Sequence, residues 1–222
     1  LLTGGLGYIG SHTAVSLIEN NYEVVIIDNL FNSNRNVITK IQQITNKKVK
    51  FYEGNILNQN ILNEIFSENS IDLVIHLAGL KSVSLSHDMP IDYYENNLMG
   101  SIAVIKAMNN AGIKNLIFSS SATVYGAPEI LPIDENHPTN PTNPYGNTKL
   151  QVENILQDIC KNDKSWNVIS LRYFNPVGAH ESGLIGENPN NVPNNLMPYM
   201  FRVLNGDSEY LSVFGSDYET AK

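Results

Sequence analysis

The chain has 222 residues, of which 42% are hydrophobic and 16% are charged, and its net charge is −8 with a pI of about 5.0. This composition suits one sizeable α/β domain with part of a second. The acidic balance and the lack of a Lys/Arg cluster exclude a basic face for nucleic acid or for an anionic membrane.

A single cysteine, Cys160, excludes an intrachain disulfide framework and leaves too few thiols for a zinc ribbon. The five histidines lack the spacing of a metal site, and we interpret His76 as a core residue. No apolar run is long enough to span a bilayer, so a reducing, cytoplasmic location is expected. The chain begins within a strand-like segment and ends without closing an element, so we expect it to be part of a longer protein.

Short apolar segments alternate with amphipathic ones along most of the chain. Six segments have the pattern of strands: Leu1–Thr3, Tyr22–Asp28, Val49–Glu53, Leu73–Leu77, Leu116–Ser120 and Val168–Arg172. Five helices are predicted between them: Tyr8–Asn20, Val37–Thr45, Ile61–Glu68, Tyr93–Ala111 and Tyr145–Lys161. This alternation predicts an α/β fold with a doubly wound parallel sheet of the Rossmann type, whose sites lie at the carboxyl ends of the strands.

From Asn175 onward, glycines, prolines and asparagines interrupt any periodicity. We interpret this stretch as a long functional loop that leads to a helix at about Leu196–Leu204 and a short strand at Tyr210–Phe214. The predicted organisation is therefore a dinucleotide-binding domain over residues 1–173 and the start of a smaller C-terminal substrate domain over residues 174–222.

The first strand runs directly into the pattern Gly4-x-x-Gly7-x-x-Gly10, and an amphipathic helix follows. In this context the pattern predicts a dinucleotide-binding turn, in which the three glycines permit a tight turn, close approach of a pyrophosphate and close helix packing. Amide groups at the helix start would hold the phosphates. Asp28, at the end of the second strand, would accept both hydroxyls of an adenosine ribose and repel a 2′-phosphate, which favours NAD over NADP.

Three further positions near strand ends allow two interpretations each. Asn55 either accepts from an adenine amino group or is an ordinary turn residue. Lys81 either reaches the nicotinamide side of the cofactor or is a solvated loop lysine. One of Asn96 and Asn97 is expected to hydrogen-bond across the strand ends, while the other is incidental.

Tyr145 and Lys149 are the most informative pair in the chain. They are four residues apart on a predicted helix and therefore share one face, where the ammonium is expected to lower the pKa of the phenol. Ser121 adds a hydroxyl at the carboxyl end of the fifth strand. Each residue alone is compatible with a structural role, but their joint order after a glycine turn predicts a proton shuttle beside a hydride carrier.

Together these motifs resemble the extended short-chain dehydrogenase/reductase family, and within it the enzymes that epimerise UDP-sugars at C4. The resemblance covers the whole chain and rests on Thr3–His12, Asp28–Leu30, Ala78–Lys81, the serine run from Ser119, Pro144–Lys149, Leu171–His180 and Pro193–Pro198. It implies an enzyme of galactose metabolism that keeps NAD bound and interconverts UDP-galactose and UDP-glucose by transient oxidation at C4. It also implies a homodimer formed through the long helices near Tyr93–Ala111 and Tyr145–Lys161.

The resemblance also assigns roles to individual residues. Tyr145 would remove the proton of the sugar 4-hydroxyl, Lys149 would support it, and Ser121 would hydrogen-bond the 4-oxygen. Contacts with NAD would come from Gly4, Gly7, Tyr8, Ile9, Gly10, Asp28, Asn29, Leu30, Phe31, Asn32, Ser33, Asn55, Ile56, Leu77, Ala78, Gly79, Leu80, Lys81, Asn96, Lys149 and Phe174. Contacts with the UDP-sugar would come from Lys81, Ser121, Ala122, Thr123, Tyr145, Asn175, Asn195, Leu196, Met197, Ser212, Val213 and Phe214. Asn55 stands where the family usually has Asp, which keeps an acceptor but removes a charge.

Two other functions are compatible with such a fold. A nucleotide-sugar 4,6-dehydratase needs an acid pair just after the serine position, where this chain has Ala122 and Thr123. A non-enzymatic redox sensor or scaffold could dispense with Tyr145 and Lys149, and this chain retains both. Both alternatives are therefore disfavoured against an isomerase.

Overall fold

A computed structural model describes residues 1–188, 195–213 and 215 of the chain. Six parallel strands form one sheet in the order β3-β2-β1-β4-β5-β6. The strands are β1 (Leu2–Thr3), β2 (Val25–Asp28), β3 (Lys50–Glu53), β4 (Val74–His76), β5 (Asn115–Ser121) and β6 (Asn167–Tyr173). This strand order confirms the predicted doubly wound sheet of the Rossmann type.

The helices connect the strands and cover the sheet on both faces. They are α1 (Tyr8–Glu19), α2 (Asn36–Thr45), α3 (Gln59–Glu68), α4 (Val83–Asp88), α5 (Pro90–Tyr93), α6 (Gly100–Asn110), α7 (Pro144–Asn162) and α8 (Leu196–Leu204). A π-helical stretch, Tyr94–Met99, joins α5 to α6, and a 3-10 turn, Ala122–Val124, follows β5. Within the residues that the structure describes, no helix has both the length and the apolar character that crossing a bilayer requires.

Two apolar clusters hold the layers together, one on each face of the sheet. Ile26 and Ile27 are consecutive on β2 and fully buried, yet they belong to different clusters. Successive side chains of a strand point to opposite faces, so a strand covered on both sides needs an unbroken apolar run. The first cluster packs α3, α6 and α7 over residues such as Phe118, and the second packs α1 and α2 over the other face.

The structure departs from the predicted elements in two places. Sequence periodicity did not predict α4, which Ser82 caps, or residues 90–92 of α5, which Pro90 begins. The strand predicted at Tyr210–Phe214 is wrong over residues 210–213, which form no strand, and Phe214 lies outside the described residues. A strand needs a hydrogen-bonded neighbour, and Val213 is 83% exposed with no sheet beside it in the described parts of the chain.

The segment that follows β6 returns to the first half of the sheet. Ile185 is buried in the cluster formed by β1, β2, α1 and α2. The hydroxyl of Tyr8 donates to the carbonyl of Gly178 at 2.6 Å. Residues 174–188 therefore cross the start of α1, above the carboxyl ends of the strands.

Candidate active site

A cavity of about 1210 Å³ lies at the carboxyl ends of the strands, where a doubly wound sheet places its ligands. It extends from the glycine turn past Ser121 to Tyr145 and Lys149, and residues 174–188 form part of its wall. Sites for one drug-sized ligand usually enclose about 300–1000 Å³, so this cavity is larger than a typical site for a single small ligand.

The glycine turn at the start of α1 leaves no space for side chains. Gly4 has a φ of +67°, and a Cβ there would lie 2.7 Å from the amide nitrogen of Ala78. A Cβ on Gly10 would lie 2.4 Å from the carbonyl oxygen of Gly4. Gly7 precedes α1 without any side-chain cap, so the first amide groups of the helix are free of a side-chain acceptor. This geometry suits a phosphate group at the helix start.

Asp28 ties the glycine turn to the end of β2. Its carboxylate accepts from the amide of Leu6 at 3.0 Å, the amide of Leu30 at 2.9 Å and the hydroxyl of Ser33 at 2.8 Å. A carboxylate offers about four acceptor positions, so about one remains for a ligand hydroxyl. The carboxylate therefore has a structural role in addition to the ribose contact that the sequence predicts.

The loop after β4 is held by Asn97, which the sequence could not distinguish from Asn96. The side-chain oxygen of Asn97 accepts from the amide of Leu80 at 2.7 Å, and its nitrogen donates to the carbonyl of Leu80 at 3.0 Å and to the hydroxyl of Thr148 at 3.3 Å. Asn96 lines the cavity and donates to Asn97 at 3.0 Å. Asn97 thus fixes the loop, and Asn96 is the one that faces the ligand space.

Lys81 and Asn55 both line the cavity, and both already have protein partners. The ammonium of Lys81 pairs with the carboxylate of Glu187 at 3.0 Å, and this carboxylate also accepts from the side-chain amide of Asn195 at 2.8 Å. The side-chain oxygen of Asn55 accepts from the amide of Leu57 at 2.9 Å, which is the turn role that the sequence left open. Sequence reasoning missed Glu187, because nothing local marks a carboxylate in an aperiodic loop as part of a site.

Tyr145 and Lys149 project from the first turns of α7. Asn143 caps this helix by accepting from the amide of Gly146 at 2.8 Å, and Pro144 occupies its first turn, so the start of α7 is fixed just before Tyr145. The ammonium of Lys149 donates to the carbonyl of Ser119 at 2.7 Å and lies 5.8 Å from the centroid of the Tyr145 ring.

The pKa of the Tyr145 phenol is raised, opposite to the direction predicted from the sequence. Burial raises this pKa, the side chain of Ser121 lowers it, and Tyr93 raises it further. Burial also lowers the pKa of Lys149 to about 8. The protein alone therefore holds a neutral phenol beside a desolvated ammonium, and additional positive charge is needed to favour a phenolate.

Ser121 lies where β5 passes into the 3-10 turn. Its oxygen accepts from the amide of Thr123 at 3.2 Å and from the Thr123 hydroxyl at 2.9 Å. Because its lone pairs are engaged, the Ser121 hydroxyl can act only as a donor, and the Tyr145 phenol, whose pKa it lowers by a hydrogen bond, is one acceptor within its reach.

His76 is a buried core residue, as we interpreted it. Its ring nitrogens lie 2.6 Å from the hydroxyl of Thr3 and 2.9 Å from the hydroxyl of Ser101. Burial, with a smaller contribution from Lys149, lowers the pKa of His76 to about 3, so the ring is neutral.

Most residues predicted to contact ligands line this one cavity, including the glycine turn, the loop after β4, the Tyr145 and Lys149 pair, Phe174 and Asn175. Those described residues that do not line it are Leu30, Ala122, Leu196, Ser212 and Val213. Leu30 instead packs against the second apolar cluster. Phe214 lies outside the described residues.

The fold and the site define an α/β protein of the Rossmann type with the Tyr-x-x-x-Lys pair typical of short-chain dehydrogenases/reductases. Residues 1–218 match the NAD dependent epimerase/dehydratase family, and the chain belongs to that family.

Curated relatives and solved structures agree with this assignment. The chain is 56% identical to the UDP-glucose 4-epimerase of Pasteurella multocida and 53% identical to that of Dictyostelium discoideum, over 99% of this chain in each case. It spans 65% and 64% of the lengths of these two relatives. The crystal structure of UDP-glucose 4-epimerase from Bifidobacterium longum in complex with NAD+ and UDP is similar with a TM-score of 0.95 and 48% identity, covering 99% of this chain and 66% of that one.

Proposed function

We propose that the full-length protein is an NAD-dependent isomerase that interconverts UDP-galactose and UDP-glucose. The observation that carries this proposal is the convergence of Tyr145, Lys149 and Ser121 on the cavity that also contains the glycine turn. The names of the relatives and the NAD+ and UDP in the Bifidobacterium longum complex support the same substrate class.

The residues present fit a dinucleotide. The tight glycine turn and the uncapped start of α1 would hold the pyrophosphate, and Asp28 would hold the adenosine ribose. Lys149, Asn96 and the loop after β4 would surround the nicotinamide end. When bound, NAD⁺ would supply the acceptor and later the donor of the C4 hydride, together with a second positive charge beside the phenol.

The chain's own residues would manage the proton of the sugar 4-hydroxyl. Tyr145 would accept it as a phenolate, the form that Lys149 and the charge of the bound cofactor would together favour by lowering the pKa of the phenol. Ser121, which hydrogen-bonds to Tyr145 in the NAD-free protein, would donate its hydroxyl proton to the 4-oxygen, where negative charge develops. The same two groups would serve the reverse transfer, because both stay fixed on α7 and β5 while the sugar turns over between them.

The dehydratase alternative lacks its acid in the structure as well as in the sequence. Ala122 lies in the 3-10 turn outside the cavity lining, and the Thr123 hydroxyl is bound to Ser121. Neither residue offers a carboxylate for the elimination of water.

The proposal is tested with the full-length protein as isolated, incubated with UDP-galactose and without added NAD. We expect UDP-glucose as the product and NAD in the supernatant after denaturation. A 4-keto-6-deoxy product would show a dehydratase, and unchanged substrate with intact bound NAD would overturn the proposed reaction.

We further propose a cytoplasmic homodimer, with residues 1–173 as the NAD-binding domain and residues 174–222 as the beginning of the substrate domain. Apolar side chains exposed along α4 to α6 support the dimer: Ile91 is 78% exposed, Met99 53% and Met89 47%. Light scattering on the full-length protein tests it, with twice the chain mass expected. Replacing Ile91 with Asp should then yield the monomer, and a wild-type monomer would contradict the proposed dimer.

A further inference from the structure

The helix that carries Tyr145 and Lys149 carries a third polar residue on the same face. Glu153 follows Lys149 by one helical turn, and both are nearly fully buried, at 3% and 5% exposure. An acidic side chain in the interior is retained only with compensating partners, so its contacts indicate what it does.

Glu153 binds the ends of two neighbouring strands at once. The hydroxyl of Ser120 on β5 donates to its Oε1. The guanidinium of Arg172 on β6 donates to both carboxylate oxygens, Nε to Oε1 at 3.1 Å and Nη2 to Oε2 at 2.7 Å. Ser120 and Arg172 are paired in the register of the two strands, one pair before the end of the ladder, so a single carboxylate bridges the two strands close to their carboxyl ends.

On β5, the residues on either side of Ser120 belong to the active site. The carbonyl of Ser119 accepts the ammonium of Lys149, and Ser121 presents its hydroxyl to the cavity. The bond from Ser120 to Glu153 therefore fixes the backbone between the two groups that position the proposed chemistry.

On β6, Arg172 is linked to the opposite wall of the cavity by contacts between aromatic rings. Its guanidinium lies 4.8 Å from the centroid of the Tyr125 ring, and Tyr125 stacks on Phe174 with centroids 6.3 Å apart. Phe174 and the adjacent Asn175 line the cavity. The hydrogen bonds to Glu153 also raise the pKa of Arg172, so this cation stays charged throughout the working pH range.

We propose that Glu153 and Arg172 are positioning residues of the active site, which hold Ser121 on β5 and Phe174 and Asn175 on β6 at a fixed separation across the cavity. The ion pair between Glu153 and Arg172 is the most buried one among the described residues, with side-chain exposures of 3% for Glu153 and 20% for Arg172. The geometry of the pair is strict on the Glu153 side, since the buried carboxylate has no water as an alternative partner. The effect on catalysis rests on the proposed function, whereas the effect on the two strand ends does not.

The first test replaces Glu153 with Gln in the full-length protein, which keeps the shape and removes the charge. Amide hydrogen exchange followed by mass spectrometry should speed up about tenfold in both segments 119–125 and 172–177, because hydrogen bonds to a charged group are lost at each. Asp158→Asn is the matched control, since Asp158 is on the same helix in an exposed ion pair with Lys161. It should alter exchange in neither segment.

The second measurement is the kinetic split for UDP-galactose. In Glu153→Gln we expect kcat to fall about 10- to 100-fold, because small displacements of reacting groups are costly, while KM changes by less than about threefold. A variant with wild-type kcat and wild-type exchange in both segments would overturn the proposal, even if its melting temperature were lower. If the wild-type protein does not isomerise UDP-galactose, the proposed function fails, and the exchange result still decides the positioning role.

Two further variants keep the test decisive if Glu153→Gln does not fold. Ser120→Ala removes one donor without stranding a charge and should loosen segment 119–125 alone. Arg172→Lys keeps the cation but not the two-point contact and should loosen segment 172–177 alone. If each variant loosened both segments equally, or if neither variant loosened any segment, the proposal that Ser120 holds β5 and Arg172 holds β6 separately would be contradicted.

Discussion

Along β1 and β2 the wall of the cavity is made mainly of backbone, whereas along β5, α7 and β6 it is made of side chains. The first region uses glycines, amide groups and one carboxylate that is itself bound to amides and a hydroxyl. The second contains a buried lysine and a phenol in the wall, and a buried glutamate behind it. Backbone geometry suits a ligand that only has to be held, while reacting atoms need groups that change charge.

The two regions should therefore be sensitive to different kinds of substitution. Steric changes should damage the backbone-built region, because no neighbour has room to move. Changes of charge or of a single polar atom should damage the side-chain-built region, because its groups are desolvated.

Tyr145→Phe should lower kcat by about 10²- to 10⁴-fold, the range that a positioned acid or base contributes. The variant should keep its bound NAD and its fold, because the ring and its packing remain. Activity and released NAD are measured on the same preparation. Tyr22→Phe, at a residue that is 64% exposed, is the control and should behave as wild type. Near-normal turnover in Tyr145→Phe would remove the proposed base.

Gly10→Ala and Gly7→Ala should separate folding from ligand binding in the glycine turn. At Gly10 the new Cβ would lie 2.4 Å from the carbonyl of Gly4, so we expect a loss of about 1–3 kcal/mol in the free energy of unfolding. At Gly7 the nearest atom would be 3.4 Å away and φ is −71°, so stability should change by less than about 0.5 kcal/mol while NAD content falls. Denaturant unfolding and NAD content of the isolated proteins check both. Equal losses of stability would contradict this reading of the turn.

Lys149→Met should stabilise the NAD-free protein and abolish turnover. Burial lowers the pKa of Lys149 from 10.5 to about 8 in the folded state, which corresponds to a penalty of about 3 kcal/mol for the charged form. The substitution also removes the hydrogen bond from Lys149 to the Ser119 carbonyl, which costs about 1–2 kcal/mol and offsets part of the gain from removing the buried charge. A net gain of about 1–2 kcal/mol is therefore expected at neutral pH.

The sign of the pH dependence follows from the lowered pKa of Lys149. Below pH 8 both folded and unfolded wild type carry the proton, so the penalty is complete and the advantage of Lys149→Met is largest. Between pH 8 and 10.5 the folded wild type loses the proton first, so its stability rises and the advantage shrinks. Denaturant unfolding across this range is the measurement, with the exposed Lys161→Met as the control. A constant difference would show that Lys149 keeps an ordinary pKa.

Glu187→Gln should have the smallest effect, because its ion pair with Lys81 joins the two regions at the solvent side of the cavity. Glu187 is only 10% exposed, but Lys81 is 53% exposed and its charge is solvated, so we expect the pair to contribute about 1 kcal/mol, the upper end of the range for surface pairs. The difference from wild type in thermal unfolding should shrink as salt approaches about 1 M, where the screening length is about 3 Å. A loss of several kcal/mol that is insensitive to salt would place this pair in the desolvated region instead.

The sequence predicted the sheet and the backbone-built region well, because both depend on local patterns. Buried parallel strands appear as apolar runs, and the glycine turn shows its spacing directly between β1 and α1. The strand expected at Tyr210–Phe214 failed over 210–213 because pairing is not a local property. The roles of Asn96 and Asn97 likewise depended on which one faces the loop after β4.

The side-chain-built region was predicted only in part. The Tyr145 and Lys149 spacing identified their shared face, yet the direction of the phenol pKa depends on burial, which spacing does not reveal. Glu153 has a local signal in the sequence, since it continues the same helical face one turn after Lys149. Its partner Arg172 had none, because the contact joins α7 to β6 across the fold.

The π-helical stretch at Tyr94–Met99 has a consequence for how this fold tolerates change. A wider turn accommodates one residue more than a regular helix of the same rise, and such stretches often mark functional sites. It places Asn96 at the cavity and Asn97 against the loop after β4, while Tyr93 before it and Val104 after it both remain buried. If the same residues adopted regular helical geometry, α6 would be rotated by about 100° and its apolar face would leave the core, so the irregular turn is what makes the helix compatible with the site.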